Sequence, residues 1–408
     1  MASVADAEFR TPAASPPAPA RAVAMDSLRA FVVVLVVIHH SLLAYMGGVP
    51  TEMHHFAGGA MIWRAFPVVD PTHWGAVALI TGFNDVYFMS LMFFLSGLFV
   101  LDGLRRKGAL VFLRDRLLRL GIPFLFSACV ITPIAYYAGY LERGNAPGFV
   151  AYAQAWRDIG YWPTGPAWFV LLLLIFDVAA AALFAIAPRW GDAIGSLAKN
   201  AGAKPGRFFW LVVLVTLLAY APLAHAFGPA SWTYVGFLQF QSSRPLLYFV
   251  YFLLGAGIGA RGVQSGLLAA DGKLARRWPL WVGAMIAAFV LGLALLIAIL
   301  TSKEPARQTL IEIGSLTFVL NCAASIFALL ALFTRFAQHA GAIWTSLAQN
   351  SYGIYLVHYA VVAWLQFTLL TAPLPAPAKA LGVIVAAVLL SWLIASTLRR
   401  IGFVRRLV

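Results

Sequence analysis

Charge is what this chain has least of. Of its 408 residues, 15 are acidic and 29 are lysine or arginine, 11% charged in all against 62% hydrophobic. Mean hydropathy is +0.85. That balance leaves too little polar surface to clothe a soluble domain, so that class is excluded. Cysteine is nearly absent as well. Cys129 and Cys322 both fall inside apolar runs, which excludes a disulfide framework and a cysteine metal site. His54, His55 and His73 have no metal-ligand spacing, so no metal is expected. No internal repeat is visible. In residues 1–24, rich in Pro and Ala, no apolar stretch ends at a small-residue cleavage site. They read as a disordered cytoplasmic tail and not as a signal peptide.

What the chain has is apolar length. Runs of about 20 residues with few charges read as membrane helices. Ten are present, roughly at 29–48, 79–101, 120–140, 167–187, 208–227, 244–260, 279–301, 311–333, 348–370 and 379–398. The sixth is short and opens on Gln239, Gln241 and Arg244. The expected fold is therefore an all-α, polytopic membrane helical bundle of about ten transmembrane helices. One membrane domain is expected over 25–398, with a short basic cytoplasmic tail at 399–408. With the N-terminus inside, 22 of the lysines and arginines lie on the inner side and 7 on the outer. By the positive-inside rule both termini are cytoplasmic, N-in and C-in. The net charge of +14 is then mainly a topological signal. Its scatter over short loops argues against a nucleic-acid partner, and the partner it implies is the lipid bilayer.

Ionisable groups at membrane depth usually face a cavity or a partner. In "MDSLRAFVVVLVVIHH" (25–40), Asp26 is a helix-capping residue type. Arg29 and His40 lie eleven residues apart, within roughly 20° of one direction and about 16 Å apart along a helix axis. His39 points elsewhere. Counted from the span ends, His40, Asp85, Asn321 and His358 all fall near mid-membrane on four different helices. In "NSYGIYLVHYA", Ser351, Tyr355 and His358 share a helical face. Such residues serve either as interhelical hydrogen bonds or as a site. A buried neutral imidazole at His40 suits general-base work on a hydroxyl, and equally suits a bond to a neighbouring helix.

Arg116 and Arg119, three apart before a span, read in two ways: a phosphate clamp, or ordinary inner-surface charge. Arg29, near the same boundary, has the same two readings. The outer stretch "YAQAWRDIGYWPTGPAWF" (152–169) is dense in aromatics, as an interfacial belt or as a stacking platform for a sugar.

Taken in order, these motifs resemble the acyltransferase 3 family of integral membrane O-acyltransferases, over about residues 25–398. The resemblance rests on Asp26-x-x-Arg29 with ten residues before His40, on "FFLSGLF", and on Arg116-x-x-Arg119-Leu-Gly-x-Pro123. It rests also on "PAWFVLLLL" and "SYGIYLVH". "FND" (83–85) and "RLGIP" look most like the branch named for glucan biosynthesis protein C, a succinyltransferase of periplasmic glucans. Ala30, where many relatives have glycine, and Leu98, where a tyrosine is frequent, are departures.

The resemblance implies a bacterial inner-membrane enzyme that moves an acetyl or succinyl group from cytoplasmic acyl-CoA. The acceptor would be a hydroxyl of an extracytoplasmic glycan or lipid-linked sugar. Acyl-CoA is a co-substrate, and no permanently bound cofactor is implied. His40 would be the essential histidine, with Arg29 and Asp85 as further catalytic candidates. Arg116 and Arg119, with Arg29, would bind the donor. Asn84, Trp168, Asn321, Tyr355 and His358 are acceptor-side or supporting candidates. A homo-oligomer is left open. The competing reading is a transporter or flippase for a glycan or lipid-linked precursor, using the same polar layer. It lacks a repeat and gives the arginine pair no task. A membrane scaffold leaves His40 unexplained.

Overall fold

A computed structural model describes residues 20–47, 67–262 and 266–407. Residues 1–19 of the expected tail, and His54 and His55, lie outside them. The first helix, α1 (Ala20–Leu43), begins inside the segment assigned to the tail. Its "FVVVLVVI" run is β-branched, which in water would favour a strand. In hydrocarbon each backbone polar group must be paired within its own segment, so the helix wins. Asp26 is consequently not a cap. It sits inside α1 and ion-pairs with Arg29 one turn on.

The chain continues through α2 (Ala76–Gly97), α3 (Val100–Glu142, broken at Gly108, where φ is +75°), α4 (Phe149–Asp158), α5 (Trp168–Ile186), α6 (Trp190–Leu197) and α7 (Pro205–Phe227). A hairpin follows, β1 (Trp232–Val235) and β2 (Leu238–Gln241), antiparallel with Val235 opposite Leu238. Gly236 opens its two-residue loop at φ +58°, a conformation that glycine adopts without a steric penalty. Then come α8 (Pro245–Gly259), α9 (Trp278–Thr301), α10 (Ala306–Phe336), α11 (Ala342–Leu369), α12 (Ala376–Leu398) and α13 (Gly402–Leu407).

Among the described residues, nine helices are long and apolar enough to cross a membrane, and α8 is a tenth, shorter apolar helix. The fold is thus an all-α polytopic membrane bundle. The hairpin, absent from the sequence reading, is a small β element beside it. The short C-terminal segment expected as a tail carries the one-and-a-half turns of α13.

The core lies around α1, which packs on α2, α10, α11 and α12. α9 lies at the periphery, with Trp281 and Ala288 its buried residues and an aliphatic face exposed from Leu280 to Leu300. α2 and α8 approach closely. A Cβ on Gly97 would come within 2.1 Å of the Phe252 carbonyl oxygen, and one on Gly255 within 2.1 Å of that of Phe94. The glycine of "FFLSGLF" is therefore needed for helix contact, as small residues commonly are in membranes.

α3 carries two π-turns, at Leu117–Gly121 and Ser127–Ile131, closed by i→i−5 bonds from Ile122 N to Leu117 O and from Thr132 N to Ser127 O. Pro123 and Pro133 follow them as early residues of the next helical segments.

Two basic residues that the positive-inside count assigned to the outer side are buried in ion pairs. Lys379 Nζ meets Asp70 Oδ2 at 2.9 Å, with both side chains 1% exposed. Lys379 also donates to the Leu370 carbonyl, and Asp70 accepts from Thr72 N and Oγ1. Arg244 is the other, on Asp85.

Candidate active site

The expected first span ran to residue 48, but α1 ends at Leu43. His40 thus lies in its last turn. There it meets His358, which stands eleven residues before the end of α11. His40 Nδ1 is 3.4 Å from His358 Nε2, and the rings are 5.1 Å apart. α1 therefore finishes within the bundle, where its final carbonyls need donors. Gln366 of α11 supplies them, donating to His40 O at 3.0 Å and Ser41 O at 3.1 Å.

Hydrogen-bond partners assign the tautomers. A carbonyl oxygen only accepts, so His40 Nδ1, 2.9 Å from Val36 O, carries a proton. So does His358 Nδ1, 2.6 Å from Tyr355 O. In the neutral rings both Nε2 atoms then hold lone pairs. His358 Nε2 accepts from His40 Nδ1–H, and His40 Nε2 is left as a base. His358 is fully buried, whereas His40 is half-buried. Of the two, His40 is the one that a substrate can reach.

The surroundings are aromatic. The Tyr359 ring stands edge-on to His40 at 5.5 Å. Tyr355 donates to the Pro166 carbonyl, in the turn that leads to Trp168. Gly165 sits in that turn, and a Cβ on it would come within 2.9 Å of Tyr359. "PAWF" and "SYGIYLVH" are thereby in contact. Trp168 stacks on Tyr248 at 5.9 Å. Ser351, assigned to the same face, bonds back to Ala348 O of its own helix.

Much of the aromatic stretch at 152–169 is packed inside the protein. Tyr152 and Trp156 of α4 are buried against Tyr136, Tyr137 and Tyr140 of α3. Tyr152 donates to Pro133 O at 2.6 Å, and burial raises its phenol above its ordinary pKa. The hairpin joins this layer. Thr164 N and Oγ1 both donate to Gln239 Oε1, and Tyr161 meets Tyr234 at 4.7 Å.

The other candidates fall outside the His40 contact. Asp85 is held by Arg244, whose Nη2 lies 2.6 Å from Oδ2 and whose Nη1 donates to the Asp85 carbonyl at 2.9 Å. The groups that orient His40 are His358 and the Val36 carbonyl. Asp85 remains 45% exposed beside a buried Arg244, and it interacts electrostatically with His39. His39 stacks on Phe88 of α2 at 5.2 Å, on the side away from His358. Asn84 accepts from Tyr87 OH at 3.4 Å, and Asn321 from Ser325 Oγ at 3.3 Å. Of the four polar groups, His40 and His358 touch, while Asp85 and Asn321 bond to other partners.

At the opposite end of α11, Arg116 Nε lies 3.3 Å from Oδ2 of Asp177, which is 1% exposed on α5. The guanidinium also sits over Phe112 at 4.9 Å. Arg119 is exposed. A π-turn begins directly after Arg116. Arg119 takes part through its carbonyl, which accepts from Tyr352 OH at 3.0 Å. Asp177 was passed over in the sequence because it stands alone in "FVLLLLIFDVAAA". Arg29, paired with Asp26, stays on the basic end of α1.

One helix therefore carries the whole arrangement. Tyr352 touches the arginine segment, Tyr355 the Trp168 turn, and His358 the base. These positions span six residues, about 9 Å of axis. A base held in one tautomer within a membrane bundle fits transfer chemistry at a hydroxyl. A family model described as an acyltransferase domain, that of acyltransferase 3, matches residues 23–396. No curated protein and no solved structure gives a match. The chain belongs to the acyltransferase 3 family, and it is an integral membrane acyltransferase.

Proposed function

We propose that the protein transfers an acetyl or succinyl group from acyl-CoA, bound from the cytoplasmic side, to a hydroxyl of an extracytoplasmic glycan or lipid-linked sugar. The host would be a bacterial inner membrane. The observation that carries this reading is the His40–His358 pair. It supports one half-buried imidazole whose Nε2 is the unprotonated nitrogen, where α1 meets α11. The likeness of "FND" and "RLGIP" to the glucan biosynthesis protein C branch favours succinyl.

In this mechanism His40 Nε2 takes the proton of the acceptor hydroxyl as its oxygen attacks the thioester carbonyl. The imidazolium so formed keeps its Nδ1–H on Val36 O and on the His358 Nε2 lone pair. The tetrahedral intermediate then collapses, the C–S bond breaks, and the CoA sulfur leaves with the proton held by His40. The products are the ester and free CoA. Asp85, Asn84 and Trp168 would face the acceptor, and Asn321 would support the bundle beside them.

The donor's phosphates would dock at Arg116 and Arg119, with Arg29 near the same surface. Guanidinium groups suit that task through charge-assisted bonds. The acyl-pantetheine arm would follow α11 from Tyr352 to His358. The experiment that tests the route uses oriented proteoliposomes with acyl-CoA supplied on one side only. Turnover should require donor on the face that carries Arg116. Equal turnover with donor on the other face would reject the route.

A further inference from the structure

A second basic site lies away from the arginines discussed above. At the starts of α7 and α9, a cavity of about 310 Å³ is lined by nine residues, of which Lys204, Arg207, Lys273 and Arg277 are basic and none is acidic. Lys273 is anchored by a bond from Nζ to Ala203 O at 2.9 Å. Apolar walls complete the cavity, with Leu280 59% exposed and Trp281 buried. Its floor is aromatic. Phe209 of α7 and Trp281 of α9 touch at 5.5 Å, and both pack on Phe327 of α10. From the cavity the exposed side chains of α7 (Trp210, Leu214, Leu218) and of α9 (Ile286, Val290) run towards the far side of the membrane.

Among the described residues no carboxylate pairs with these four cations, and such a cluster at the mouth of an apolar cleft suits an anionic headgroup. Basic pockets between transmembrane helices bind anionic lipids in this way, phosphate at the interface and chains along the helices. A soluble phosphate ester would gain nothing from the apolar flanks. We propose that this cleft is a specific site for an anionic phospholipid, whose phosphate meets Lys204, Arg207, Lys273 and Arg277 and whose acyl chains lie along α7 and α9.

Each basic group near a membrane surface contributes on the order of fivefold to anionic-lipid affinity. Purified full-length protein in detergent would be titrated with phosphatidylglycerol or phosphatidylcholine of matched chains, and bound lipid counted by native mass spectrometry. The wild type should bind phosphatidylglycerol at least about tenfold more tightly. The Lys204→Gln, Arg207→Gln, Lys273→Gln, Arg277→Gln variant should lose that preference. A control with the same charge change elsewhere on that surface, Arg335→Gln, Arg400→Gln, Arg405→Gln, Arg406→Gln, should keep it. Millimolar inorganic phosphate or acyl-CoA should not displace the lipid. No preference in the wild type, equal loss in the control, or displacement by either soluble ligand would overturn the proposal.

Discussion

His40 Nδ1 is shared between the Val36 carbonyl at 2.9 Å and His358 Nε2 at 3.4 Å. One proton thereby ties the last turn of α1 to the middle of α11 and fixes the lone pair of His40 on Nε2. His358 is a positioning residue in this account, because it acts through His40. Its removal should cost less than removal of the base. His358→Ala should lower kcat by about 10–100-fold, the range for losing a partner that orients an imidazole. KM for donor and acceptor should change little. A KM effect without a kcat effect would place His358 in substrate binding instead.

Asp177 makes single substitutions at Arg116 ambiguous. Its carboxylate is buried and its charge partner is Arg116. Arg116→Ala leaves that charge uncompensated, which costs about 3–5 kcal/mol where a buried pair is broken. The double variant Arg116→Ala, Asp177→Asn should regain much of the lost thermal stability and still bind donor at least about tenfold more weakly. Recovery of donor affinity together with stability would show that Arg116 serves only the fold.

Lys379 and Asp70 pose the same question just beyond the end of α1, where Asp70 N donates to Ala44 O. Both are 1% exposed, and together they join the segment after α1 to the start of α12. Lys379→Met should lower stability by about 3–5 kcal/mol, and Lys379→Met with Asp70→Leu by clearly less. Melting curves in detergent decide this. Single variants as stable as the wild type would contradict it.

Gly97 tests the packing reading of "FFLSGLF". An added methyl would lie 2.1 Å from the Phe252 carbonyl oxygen, so Gly97→Ala should force α2 and α8 apart and lower accumulation of folded protein. Gly283→Ala, which meets nothing within 4 Å, should be neutral apart from helix propensity. Equal accumulation of the two variants would sink the argument.

Much of this was readable from the chain. Each of the ten apolar runs became a helix, because in hydrocarbon length and apolarity decide secondary structure almost alone. His40 and His358 could be placed at one depth by counting from the span ends. Their contact could not, since 318 residues separate them and helix rotation is invisible to hydropathy. Asp85 with Arg244 and Asp70 with Lys379 were hidden for the same reason. Gln366 carries no local signal either, because its role exists only where α1 stops short. The partner of Arg116 was hidden as well, because Asp177 stands alone in an apolar run. The hairpin escaped because its strands are four residues each, set among aromatics.

The most direct test of the account is transfer by the His40 variant. Purified protein would be given labelled acetyl-CoA or succinyl-CoA with a glycan acceptor, and ester formation and CoA release followed together. General-base catalysis contributes about 10²–10⁴-fold, so His40→Ala should lose at least about a hundredfold in kcat while inserting and accumulating normally. His39→Ala, on the Phe88 side, should stay within a few-fold of wild type. Ester formation by His40→Ala within about threefold of wild type would contradict the assignment of the base.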